Sequence, residues 1–102
     1  MNKTTLYIGL NDKKLKRQII DTVEATKIVY SIILDCSDGG TIYNATGIYK
    51  HDDGTVIIEN TLRVELFDID PAVVERIIYR AKIALNQESI IKQTEIVTSE
   101  FF

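Results

Sequence analysis

The sequence predicts an α+β sandwich: one four-stranded antiparallel sheet with two helices packed on a single face. Two observations predict the elements. Four stretches are strand-like, three of them with apolar residues recurring every second position, and two others carry apolar residues at the three-and-four spacing of a helix, each behind an aspartate suited to cap it. A third observation, the order strand, helix, strand, strand, helix, strand, predicts how they assemble.

Residues Lys3 to Leu10 form the first strand, with Leu6, Ile8 and Leu10 on one side and Thr5, Tyr7 and Gly9 on the other. Asn11 to Asp21 is polar and basic at first and then carries Leu15, Ile19 and Ile20. A loop, a short strand and an early helical turn all fit it, and we read it as a connection. Asp21 then caps a helix, with Glu24 three positions on to complete a capping box. That helix runs to about Asp35, burying Ala25, Ile28, Val29, Ile32, Ile33 and Cys36, and Asp38-Gly39-Gly40 ends it in a left-handed turn.

Thr41 to Phe67 reads as two long strands joined at Asp53-Gly54, residues that tolerate the positive φ of a tight hairpin. Val56, Ile58, Leu62, Val64 and Leu66 share one face with Ile42 and Ile48. Thr55, Glu59, Thr61, Arg63 and Glu65 share the other with Tyr43, Ala45, Gly47 and Tyr49. Asp70 caps the second helix with Pro71 at its first position, where the missing N–H costs nothing. It spans about Pro71 to Asn86 and buries Val74, Ile77, Ile78, Ala81, Ile83 or Ala84, and Leu85. Ile90 to Val97 is the last strand, whose pattern IIKQTEIV does not decide which residues face inward. Two right-handed crossovers put the first and third strands in the centre, which is the ferredoxin-like βαββαβ arrangement with one sheet face left open.

The 102 residues suit one domain, large enough to fold without a metal or disulfide. Twelve Lys and Arg against fifteen Asp and Glu, net −3, argue against a nucleic-acid or membrane-surface partner. The lone Cys36 reads as a small packed residue and fits a reducing compartment. With no long apolar run and no signal-like start, the expectation is a cytoplasmic protein.

Tyr7-Ile8-Gly9-Leu10, Asp53-Gly54-Thr55, Glu59 and Gln87-Glu88-Ser89 resemble the pattern of a family of small bacterial and phage proteins of unknown function. The resemblance implies the sandwich fold and a propensity to self-associate, and it brings no activity with it. The chain departs from the pattern in the linker Asn11 to Asp21, so the resemblance assigns no ligand contact there.

No phosphate-binding glycine loop, metal-spaced Cys or His pair, or nucleophile elbow is present, so we name no catalytic residue, no metal ligand and no cofactor. His51, the only histidine, reads as a solvated turn residue. The candidate ligand site is the open sheet face, with Tyr7, Tyr43, Tyr49, Thr61, Arg63 and Glu65, joined by Gln87. Aromatic planes near a guanidinium suit stacking on a flat ring and a grip on a phosphate or carboxylate. The same residues equally suit a dimer interface. Gln87 and Glu88 would also serve simply to end the helix.

The expectation is therefore a non-enzymatic homo-oligomer, at least a dimer, that binds a small anionic ligand such as a nucleotide. If phage-encoded, it would sequester a host immune signal in the host cytoplasm. The alternative is a small enzyme whose active site lies between the open face and a partner subunit.

Overall fold

The computed structural model describes residues 1–102 and contains β1 (Asn2–Gly9), α1 (Thr22–Cys36), β2 (Thr41–Lys50), β3 (Val56–Phe67), α2 (Pro71–Ala84) and β4 (Ile91–Ile96). The strands lie in the order β2-β3-β1-β4, antiparallel throughout. This is the ferredoxin-like α+β fold. Its core is the even-numbered face of the central strands: Leu6, Ile8, Leu62, Val64 and Leu66 are fully buried against Ala25, Val29, Ile32 and Ile33 of α1 and Val74, Ile77 and Ala81 of α2. No helix is long and apolar enough to cross a membrane.

The caps explain where the helices start. The Asp21 carboxylate accepts from the Glu24 N–H at 2.9 Å, and that of Asp70 from the Ala72 N–H at 2.8 Å ahead of Pro71. The Glu24 carboxylate does not return the bond, so the capping box is half made. Glycine does not end α1 either. Ser37 does so, donating both its N–H and its hydroxyl to the Ile33 carbonyl, at 2.8 and 3.0 Å. Gly40 is needed for a different reason: a Cβ there would lie 2.8 Å from Leu66 Cδ2 and 3.0 Å from the Glu65 carbonyl oxygen. α2 stops at Ala84, two residues before the expected end, because Asn86 turns left-handed at φ 48°, and Ile83 and Ala84 both face solvent. β1 likewise begins and ends one residue earlier than the pattern predicts.

The hairpin corrects two expectations. Asp53 does not adopt positive φ. His51 and Thr55 close the turn around three residues, with Gly54 alone at φ +89°. Val56, Ile58 and Ile48 lie on the expected face but are 54, 66 and 70% exposed, not core. β1 ends at the Gly9↔Thr61 pair, beyond which β2 and β3 pair only with each other and run out past the helices. β4 is exposed along its length, and register resolves its facing: Ile91, Gln93 and Glu95, opposite Tyr7, Thr5 and Lys3, share the open face. The connection from Asn11 to Asp21 is an irregular loop closed by a single Asn11↔Gln18 bridge.

Candidate functional site

Register assigns each open-face residue to a row, and the rows separate the candidate residues into two groups. The row Tyr7–Arg63–Tyr43 crosses three strands. The Arg63 guanidinium lies 5.9 Å from the centre of the Tyr7 ring and 5.5 Å from that of Tyr43, a cation–π arrangement. One row further from the hairpin tip, Glu65 is 7% exposed and receives Arg63 Nη2 at 3.0 Å, Lys3 Nζ at 3.1 Å and the Tyr43 hydroxyl at 3.0 Å. Burial would raise the Glu65 carboxyl, but the hydrogen bonds from Lys3 and Tyr43 and the charges of Lys3 and Arg63 hold it below its ordinary value. The guanidinium and the carboxylate largely answer one another. Only Arg63 Nε is buried without a partner.

Towards the hairpin tip the rows change character. Gly9, Thr61 and Ala45 form one row, and in the next Glu59 faces Gly47 on one side and the end of β1 on the other. Because β1 stops there, the Glu59 carboxylate lies over Gly9 and accepts the Asn11 N–H at 3.0 Å. A Cβ on Gly9 would come within 2.8 Å of Glu59 Oε2, and one on Gly47 within 2.8 Å of Thr61 Oγ1, so the two glycines keep the floor low. The result is a cleft of about 940 Å³, within the range of small-molecule sites. Tyr7, Gly9, Gly47, Glu59 and Thr61 form its floor, and Tyr49, His51, Asp53, Thr55 and Ile57 the wall towards the hairpin tip. The opposite wall is Asn11, Asp12, Lys13 and Lys16 with Gln87, Glu88 and Ser89. Burial and the Glu59 charge raise the Tyr49 phenol above its ordinary value, and the ring meets His51 edge-on at 5.6 Å.

Gln87 holds the two parts of this second wall together. Its side-chain amide, 7% exposed, donates to the Asn11 carbonyl at 2.8 Å and to that of Leu85 at 3.2 Å. Beside it, Asn86 Nδ2 donates to Asp12 Oδ2 at 2.8 Å, and the Lys13 N–H to the Asn86 carbonyl at 3.1 Å. Of the seven predicted ligand residues, the structure thus brings Tyr7, Tyr49, Thr61 and Gln87 to the cleft, and places Tyr43, Arg63 and Glu65 in the ion cluster beyond it.

The ligand set read from sequence leaves out Glu59, Gly9, Gly47 and the Asn11–Lys16 loop. A usable signal was present: the short motifs Tyr7-x-Gly9, Asp53-x-Thr55, Glu59 and Gln87-Glu88-Ser89, scattered over the chain, all contribute to this one cleft. No group of three or more His, Cys, Asp or Glu is placed to hold a metal ion.

No family model and no curated protein matches the chain. Solved structures do. A phage SAM lyase in complex with S-methyl-5'-thioadenosine is 16% identical, with a TM-score of 0.65 over 92% of this chain and 79% of that one. A phage SAM lyase in its apo state is 15% identical, with a TM-score of 0.67 over 99% and 91%. The adenosylmethionine decarboxylase from Aquifex aeolicus is 17% identical, with a TM-score of 0.47 over 99% and 95%. At these identities the likeness to the two lyase structures is one of fold.

Proposed function

We propose that the cleft binds S-adenosylmethionine and that the protein is a lyase releasing S-methyl-5'-thioadenosine from it. The observation that carries this reading is Glu59, a carboxylate in the floor of a large cleft with one backbone N–H and no cation of the protein as partner. With Asp12, Asp53 and Glu88 against Lys13 and Lys16, the lining suits a cationic ligand. A fold shared with a phage SAM lyase supports the same direction.

The chemistry asks little of the protein. A sulfonium leaves as a neutral thioether, so no general acid is needed. The substrate's own carboxylate attacks Cγ: the O–Cγ bond forms, the Cγ–S bond breaks, and its electron pair stays on sulfur. The products are homoserine lactone and the thioadenosine, with no water, proton or cofactor consumed. Closing a five-membered ring draws on the large effective molarity of intramolecular attack, which a cleft that fixes the folded substrate exploits. The sulfonium charge disappears in the transition state, so a carboxylate beside it would favour the ground state. Glu59 is better used on the α-ammonium, whose charge persists. The half-buried ring of Tyr7 and the exposed ring of Tyr49 would flank the adenine.

A second reading has its own observation. Arg63, between two tyrosines with Nε unpartnered, would suit an anionic nucleotide held without turnover, as a protein that sequesters a signal requires. Its charge is already engaged by Glu65, which favours the lyase. Incubation with S-adenosylmethionine, denaturation and chromatography separate the two: the lyase yields thioadenosine in step with substrate lost. Recovery of all the substrate intact overturns the lyase reading. Self-association accompanies either reading, motivated by exposed Ile48, Val56 and Ile58 on the protruding hairpin and by a cleft open to a neighbour. Light scattering at micromolar concentration is expected to give at least a dimer, and a clean monomer ends that idea.

A further inference from the structure

The Asn11–Lys16 loop, to which the sequence pattern assigns no role, forms one wall of the cleft and brings two lysines to it, Lys13 and Lys16. The loop is not loosely hung. Asp12 N–H bonds the Arg17 carbonyl and Lys16 N–H the Asp12 carbonyl, both at 2.8 Å, and Lys16 sits at φ 60°, a left-handed conformation uncommon for lysine. The Asn86 and Gln87 bonds then fasten it to the start of the last strand's connection.

The acid within the loop, Asp12, is already committed. Its carboxylate accepts from the Lys14 and Leu15 N–H groups, both at 2.9 Å, and from Asn86 at 2.8 Å. Those hydrogen bonds, Asn86 first, hold its carboxyl below its ordinary value. Neither Lys13 nor Lys16 belongs to an ion pair; the pairs that form are Lys3 with Glu65 and Glu95, Arg63 with Glu65, and Arg80 with Asp35. The cleft is therefore polarised, with a carboxylate in its floor and two unpaired ammonium groups on the loop wall.

A ligand that matches carries a cation inward and a carboxylate outward. We propose that Lys13 and Lys16 recognise the carboxylate of an amino-acid-bearing sulfonium and select it over relatives that lack that group. This rests on the lyase reading and adds a specificity element to it. Because the carboxylate gives up its charge as it attacks Cγ, lysines that hold it strengthen substrate binding more than they lower the barrier. Their removal should raise KM without lowering kcat.

The test uses the double variant Lys13→Met, Lys16→Met, which keeps most of the apolar stems, and the double Lys→Arg variant, which keeps the charges. Calorimetric titration with S-adenosylmethionine, using the initial phase of slow turnover or an inhibited preparation, is set beside titration with S-methyl-5'-thioadenosine, which has no carboxylate. Affinity for S-adenosylmethionine is expected to fall about tenfold in the Met variant and to recover in the Arg variant. Thioadenosine affinity should stay within about twofold. Raising salt from about 50 to about 500 mM should weaken substrate binding by wild type more than that by the Met variant, since of the charges that hold the substrate the Met variant keeps only that of Glu59 for screening to act on. If the Met variant binds both ligands as wild type does, or loses both equally, the lysines do not read the carboxylate and the lyase reading stands untouched. If wild type binds neither ligand, both proposals fall together.

Discussion

The two ends of the open sheet face use the same residue types to opposite ends. In the ion cluster, Glu65 is wrapped by Lys3, Arg63 and Tyr43, so every charge has an opposite beside it and the group is closed to a newcomer except at Arg63 Nε. In the cleft, three rows from Glu65, Glu59 has one backbone hydrogen bond and glycines beside it, Gly9 and Gly47. A buried carboxylate that is fully partnered holds a fold together; one left with spare acceptors over an open cleft is available to a ligand. The difference arises from the neighbouring strand. Opposite Glu65 stands Thr5, with Lys3 close enough to pair, whereas opposite Glu59 β1 has already ended.

The sharpest way to break this comparison is Glu59→Gln, which keeps size and removes charge. Because the ammonium it holds keeps its charge throughout, kcat/KM for S-adenosylmethionine is expected to fall about hundredfold, about 2.7 kcal/mol, mostly through KM, with stability changed by less than about 1 kcal/mol. Steady-state kinetics beside melting curves check it, and a wild-type kcat/KM in the variant would remove Glu59 from the site. Glu65→Gln is the converse. It leaves Lys3 and Arg63 short of an anion and should cost about 1 kcal/mol of stability, the lower end of the range because Arg63 is 39% and Lys3 19% exposed, while ligand affinity moves less than about threefold. Equal losses of binding in both variants would mean that the two ends are one site.

Gly9→Ala probes the gap between them. The new Cβ must push the Glu59 carboxylate aside, so kcat/KM should drop about tenfold with the strand intact, as kinetics and circular dichroism would show. The smallest effect is on pH dependence. The Glu65 carboxyl lies below its ordinary 4.5 in the folded protein, so its stabilisation is fully present above that value and is lost as pH falls through the folded pKa. Melting temperature should therefore decline on acidification below about pH 4.5, and less steeply in Glu65→Gln. Asp12 and Asp53, also lowered by hydrogen bonds, contribute to the decline in both proteins, so the difference between the two slopes isolates Glu65.

What the sequence determined by itself is the sandwich and the two faces of its sheet. Period two separates Leu62, Val64 and Leu66 from Thr61, Arg63 and Glu65, and the aspartate caps start both helices where they were expected. These signals are local, set by side-chain direction and orphan N–H groups within a turn of each other. The tertiary structure alone decided how far each strand runs before its neighbour stops. Alternation could not reveal that Val56 and Ile58 extend past the helices, or that Tyr49 and Gln87 face one cleft while Arg63 and Tyr43 belong to another group. Period two assigns a residue to a face, but its row on that face depends on register between segments far apart in sequence, Tyr7 with Arg63 and Gly47 with Glu59. That register is set by core packing and by the ends of β1, and no short window of residues contains it.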